Sequence, residues 1–294
     1  MKTLLFTLLL ALPGLALEPL VSTEWVASNL GKKIILVDVS DAERYGKGHL
    51  PGAVSTAIGE WRMPKEKHLV VRPEAQIEAH MRALGVDNGS RVVLYAHIDT
   101  PKDFLKASYV YWAMKYHGLA HVAIMDGGYD KWLKEKRPTS TEVVHPSKGT
   151  FRASLQQERF ADRKYVTSSI GTVPMLDARP TEYYFGLISS PGVERAGHIE
   201  KATSYPWNYS VNTDYTVKPK HELEPIFSNG LGLKKDRELI VYCTGGLETS
   251  FNYFILEGYL GYDDVRLYDA SMKDWGNRSD TPMVRYKWEM FPAR

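Results

Sequence analysis

Thiols are nearly absent from this chain: of its 294 residues only Cys243 is a cysteine. That excludes an internal disulfide and a thiolate-rich zinc site, since both require partner thiols. A dominant charge is missing too. Thirty-seven Lys and Arg against 35 Asp and Glu leave a formal net charge of +2. Neither nucleic acid nor an anionic membrane surface is therefore indicated as the main partner. The histidines show no metal-binding pattern. His117 and His121 are four apart, but Gly118 and the strand-like residues after them argue against a helical ligand pair. No metal and no cofactor is expected.

Long apolar runs are also lacking. The longest at the start, Leu4 to Leu12, is too short to span a bilayer comfortably. With Lys2 before it and the small residues of Pro13-Gly-Leu-Ala16 after it, residues 1–16 read as a secretory signal peptide, with a retained N-terminal anchor as the main alternative. The expectation is a periplasmic or secreted protein with no membrane attachment after cleavage. A lone free thiol in an oxidising compartment is a liability unless it is used or shielded.

What is present is one pattern written twice. The first copy runs Ile34 to Asp38, Tyr45 to Ala53, Arg91 to Ala96 and Val122 to Trp132. The second runs Val173 to Asp177, Gly197 to Ala202, Glu238 to Cys243 and Val265 to Trp275. Matching points (Asp38 and Asp177, His49 and His198, Ala96 and Cys243, Trp132 and Trp275) lie 139, 149, 147 and 143 residues apart. The drift is what loop insertions produce, and the period is far longer than that of a solenoid repeat.

Two homologous domains follow, over residues 17–140 and 165–294, joined by a polar linker over 141–164. Each alternates short apolar runs with helical stretches, which predicts an α/β fold with a mainly parallel sheet flanked by helices. Lys106 to Tyr116 is a helix candidate, and Ser250 to Leu260 is its counterpart. His49 and His198 recur in a structural block, as do Asp38 and Asp177, and are read as fold determinants. Trp132 and Trp275 are read as core plugs.

Cys243 ends a buried strand and precedes a tight loop and a helix. Unpaired N–H groups and the helix dipole at such a place favour thiolate over thiol. An inert buried thiol is the competing reading. The duplication bears on the choice, because Ala96 stands at the cysteine's position in the first copy. His97-Ile-Asp-Thr-Pro101 there also lacks the paired glycines of Thr244-Gly-Gly-Leu-Glu248. The second domain is thus the candidate for chemistry.

Tyr45-x3-His49-Leu-Pro-Gly-Ala53, the two closing blocks and the cysteine loop together resemble the rhodanese sulfurtransferase family, in its tandem form with the active cysteine in the C-terminal domain. In the second closing block Ala270 replaces the usual glycine and Met272 the usual aromatic. The resemblance implies a cysteine that takes a sulfane sulfur from a small-molecule donor such as thiosulfate, becomes a persulfide, and passes the sulfur to a thiophilic acceptor, which can be a protein. It implies a cradle of amides from Thr244, Gly245, Gly246, Leu247, Glu248 and Thr249, an anion nest at a helix N-terminus.

Glu248 departs from the basic or neutral residues usual in this loop. Facing inward, it would repel a dianionic donor and raise the thiol pKa; facing outward, it would stabilise the helix N-terminus. Arg179 matches a family arginine and is a candidate donor-binding residue. Tyr183 stands where a second arginine is usual, and Arg195 is the candidate to replace it. A phosphatase of the cysteine–loop–arginine type would need arginine at Thr249. The remaining alternative is a non-catalytic or weakly catalytic sulfur-carrier or binding module.

Overall fold

The apolar runs named above form two parallel sheets in the computed structural model, which describes residues 17–290. The signal expected over 1–16 lies outside the described residues. In the first sheet, β1 (Leu20–Val21), β2 (Ile35–Asp38), β3 (Val54–Ser55), β6 (Arg91–Tyr95) and β7 (His121–Met125) take the order β1-β7-β6-β2-β3. Between them in sequence, β4 (Arg62–Lys65) and β5 (His68–Val71) make a separate antiparallel hairpin.

In the second sheet, β8 (Met175–Asp177), β10 (Thr203–Ser204), β11 (Leu239–Tyr242) and β12 (Val265–Leu267) take the order β10-β8-β11-β12. β9 (His198–Ile199) pairs with β13 (Met283–Val284).

The duplication holds at the level of register. Asp38 pairs with Tyr95, and Asp177 with Tyr242. A parallel bridge between Phe160 and Leu267 occupies the place beside β12 that β1 has beside β7. All four residues of β11 are buried, which its unbroken Leu-Ile-Val-Tyr sequence allows only in a sheet covered on both faces.

The repeated residues perform repeated tasks. His49 Nδ1 bonds Tyr45 O at 2.9 Å and His198 Nδ1 bonds Tyr184 O at 2.8 Å, each ring stacked on that tyrosine. Trp132 and Trp275 are fully buried, and their indole N–H groups donate to Pro138 O and Pro282 O. Tyr95 and Tyr242 hydroxyls accept from the amides of Leu50 and Ile199. These contacts fix the corner after each Gly-His block.

The Pro101–Tyr116 helix begins earlier than expected because Thr100 and Asp103 form a capping box with proline in the first turn. Its counterpart spans Leu247–Tyr253, then widens into π-type turns over Phe254–Tyr259. These helices pack on each other across the domains. Ser108 and Ser250 hydroxyls meet at 2.9 Å, and a Cβ on Gly258 would stand 2.6 Å from Tyr111 Oη. One apolar core therefore runs through both domains, from Val92 and Val110 to Val241 and Phe254.

The connecting segment is partly built into the first domain. Phe151 is fully buried, its amide donates to Val86 O at 3.0 Å, and its carbonyl accepts from Arg82 Nε at 2.7 Å. Among the described residues no helix is long and apolar enough to cross a membrane.

Candidate active site

Cys243 follows the last residue of β11, at the C-terminal edge of the parallel sheet, where open α/β sheets place their ligands. Its amide donates to Ser271 Oγ at 3.0 Å, and that hydroxyl donates to Tyr268 O at 2.6 Å. Its carbonyl accepts from Met272 N at 3.0 Å. Ser271 has φ +52°, a left-handed conformation that its counterpart Gly128 also adopts, at +57°. A serine in that place costs backbone strain and gains a hydroxyl under the cysteine amide.

Of the expected cradle, two amides reach the sulfur by hydrogen bonds: Gly246 N at 3.1 Å and Gly245 N at 3.4 Å from Sγ. The other members take different roles. The Thr244 amide serves the Glu248 carboxylate. The Leu247 side chain packs against the core. The Thr249 side chain and amide favour the thiolate, but its hydroxyl is buried without a well-formed partner. Gly246 is required: its φ is +95°, and a Cβ there would stand 2.4 Å from Asp269 Oδ1.

The expectation of a favoured thiolate is corrected. Cys243 is 1% exposed, and burial together with the Glu248 charge pushes its pKa up to about 11. The cradle amides pull the other way and are outweighed. Glu248 faces inward; burial raises its own pKa, while hydrogen bonds from the Cys243 thiol and the Thr244 amide lower it. Burial and the Glu248 carboxyl together hold Cys243 as the thiol at moderate pH.

The structure does not bring the two candidate arginines to the sulfur as donor ligands. Arg179 is buried, its Nε and Nη2 on the Asp177 carboxylate, its Nη1 on Ser190 Oγ at 3.1 Å and its Nη2 also on Gly197 O at 2.8 Å. Arg195 donates to Trp275 O and Thr281 O, both at 3.0 Å, and to the Thr281 hydroxyl. Both guanidiniums are occupied tying loops of the second domain together.

Residues that the sequence reading missed come from the first domain and from the closing block. Arg62 in β4 reaches across to the cysteine loop, its Nη2 on Gly245 O at 2.5 Å and Leu69 O at 3.1 Å. Its guanidinium lies 4.6 Å over the Tyr109 ring. Asp269 accepts from Val71 N at 2.6 Å and from the Tyr109 hydroxyl at 3.0 Å, and lies 3.8 Å from Arg62. The repeat held a usable signal, because Asp126 and Asp269 occupy matching places in the two closing blocks.

At the hairpin tip Glu66 pairs with Arg278 and Lys67 with Glu194, both at 2.9 Å. The matching loop of the first domain is closed on itself: the His97 ring stacks 4.0 Å from Tyr129, and its Nε2 stands 3.3 Å from Asp38 Oδ2.

Two α/β domains of one ancestry, one carrying a cysteine cradled by loop amides at a sheet edge, define a tandem-domain protein with a single thiol site. The chain belongs to the rhodanese-like sulfurtransferase family, and the rhodanese-like domain profile matches it twice, over residues 22–135 and 159–278. It is 34% identical over 286 residues to the sulfur carrier protein TtuD of Thermus thermophilus, a match covering 91% of this chain and 97% of that protein. Among solved structures, EanB superposes with a TM-score of 0.81 at 20% identity, covering 91% of this chain and 69% of EanB. YnjE does so at 0.79 and 17%, covering 92% and 69%. Those two similarities concern the fold.

Proposed function

We propose that this protein transfers sulfane sulfur through a Cys243 persulfide. The observation that carries the reading is the pair of amides, Gly245 and Gly246, aimed at Sγ. They offer fixed donors to the charge that develops on sulfur as it attacks and as the persulfide is held.

With thiosulfate as donor, Sγ attacks the outer sulfur, the S–S bond breaks, and sulfite leaves with the bonding pair. The thiol proton passes to Glu248 and then to the persulfide, so one thiol and one thiosulfate give one persulfide and one sulfite. A thiophilic acceptor such as cyanide then removes the outer sulfur as thiocyanate and restores the thiol. TtuD supports the reading as a sulfur carrier relative, and EanB has been captured with a persulfide cysteine.

Mass spectrometry of the protein after thiosulfate treatment tests it. A reducible gain of one sulfur atom on Cys243, absent in Cys243→Ser, is expected; no gain with any sulfane donor sinks the proposal.

A carrier role without rapid turnover is the second reading, favoured by the 1% exposure of Cys243. Turnover with cyanide separates the two. We also propose export through the leader over residues 1–16, supported by Lys2, the Leu4 to Leu12 run and the small residues after it. N-terminal sequencing of the mature protein from a periplasmic or secreted fraction tests this.

A further inference from the structure

A carboxylate beside the sulfur makes the site hostile to an anionic donor unless cations offset it; the Arg179 charge acts on Glu248, but that guanidinium is held on Asp177, and Arg195 is held on Trp275 O. Lys273 runs its side chain along the cysteine loop. Its amide donates to Thr244 O at 2.9 Å, which sets the start of its side chain against the cysteine loop. The stem then runs along two glycines. From the position of a Cβ on Gly245 its Cδ is 3.3 Å away, and from that on Gly192 its Cε is 3.4 Å away.

Neighbouring cations are taken: Lys67 by Glu194, Arg278 by Asp274 and Glu66, Arg163 by Asp274. Lys273 is half-buried and, among the described residues, forms no ion pair and no side-chain hydrogen bond. A second cation meets the same glycine. Arg62 has a side chain only 7% exposed, binds Gly245 O, and keeps a buried Nε with no partner. Asp269 pairs with Arg62 at 3.8 Å while also accepting from Val71 N and the Tyr109 hydroxyl, so Arg62 is a compensated charge that braces the loop.

We infer that Lys273 receives the anionic group of a small sulfane donor and so sets the donor class of this site. The inference rests on the sulfur-transfer reading for its chemistry, but anion binding is measurable without transfer.

Calorimetric titration of thiosulfate into full-length Cys243→Ser protein reads binding alone. Adding Lys273→Met should weaken that binding by about tenfold or more, as the loss of one charge-assisted hydrogen bond does, and Lys273→Arg should restore most of it. In the protein with Cys243 intact, Lys273→Met should raise KM for thiosulfate with kcat little changed. Urea unfolding of each variant identifies any loss that is merely structural. Undetectable thiosulfate binding by Cys243→Ser, or binding unchanged by Lys273→Met in a folded protein, overturns the inference. Thiosulfate binding that depends on Lys273 but gives no sulfur gain on Cys243 upholds it and overturns the transfer reading instead.

Discussion

Asp269 of the second domain accepts the main-chain N–H of Val71 in the first at 2.6 Å. Its counterpart Asp126 in the first domain accepts Val217 N of the second at 2.8 Å. The duplicated aspartates thus make reciprocal cross-domain bonds. Only Asp269 stands against the cysteine loop, at Gly246, where it also carries Tyr109 and Arg62.

Asp269→Ala is expected to cost roughly 3 kcal/mol, because it leaves the buried Arg62 charge, the Tyr109 hydroxyl and the Val71 amide short of a partner. Urea denaturation measures this. A change below about 1 kcal/mol would mean that water or a local shift satisfies those groups.

The two loop glycines should respond differently to alanine. Gly246→Ala forces a left-handed backbone on a residue whose Cβ would meet Asp269 Oδ1 at 2.4 Å. A loss of about 1–3 kcal/mol is expected, with sulfur uptake abolished. Gly245→Ala meets only the flexible Lys273 stem at 3.3 Å and should be far milder. Unfolding curves and mass spectrometry of the pair check the contrast.

Thiol reactivity should rise with pH toward a midpoint near the Cys243 pKa of about 11. Glu248→Gln should move that midpoint down, since it removes a carboxylate charge that opposes the thiolate. Iodoacetamide alkylation followed against pH reads the shift, and an unmoved midpoint would show that burial alone sets it. The same displacement has a stability consequence. The folded-state pKa lies above that of an unfolded cysteine, about 8.5. The thiol's contribution is therefore complete below the unfolded value and is lost as pH rises through the folded one.

Ser271 separates strain from hydrogen bonding. Ser271→Ala keeps the left-handed strain and leaves the buried Cys243 amide unpaired, a loss of about 1–3 kcal/mol. Ser271→Gly relieves strain worth roughly 1 kcal/mol and should fall between alanine and the parent. Thermal unfolding of the three proteins gives the order, and alanine matching serine would show the amide bond to be dispensable.

Much of the fold was legible because the repeated blocks carry their own strands and corners: Asp38 and Asp177, His49 and His198, and Trp132 and Trp275 occupy matching places. The cysteine loop was legible through its paired glycines. Arg62 and Tyr109 were not, because a contact 183 residues distant, as from Arg62 to Gly245, leaves no periodicity in sequence. The direction of Glu248 was undecidable for a related reason. A first-turn acid can face water or the loop, and only the packing around Cys243 turns it inward. The roles of Arg179 and Arg195 stayed open in sequence, because a basic residue near a sheet edge serves carbonyls and carboxylates of its own domain as readily as it meets a donor.

The hairpin of β4 and β5 ties the half that lacks a thiol to the cysteine loop of the other half. Its base grips the carbonyl of Gly245, and its tip is ion-paired to the far side. A gene shortened to the later copy would encode the Cys243 loop without its brace. The two copies are thus mechanically one unit, although only one bears the thiol.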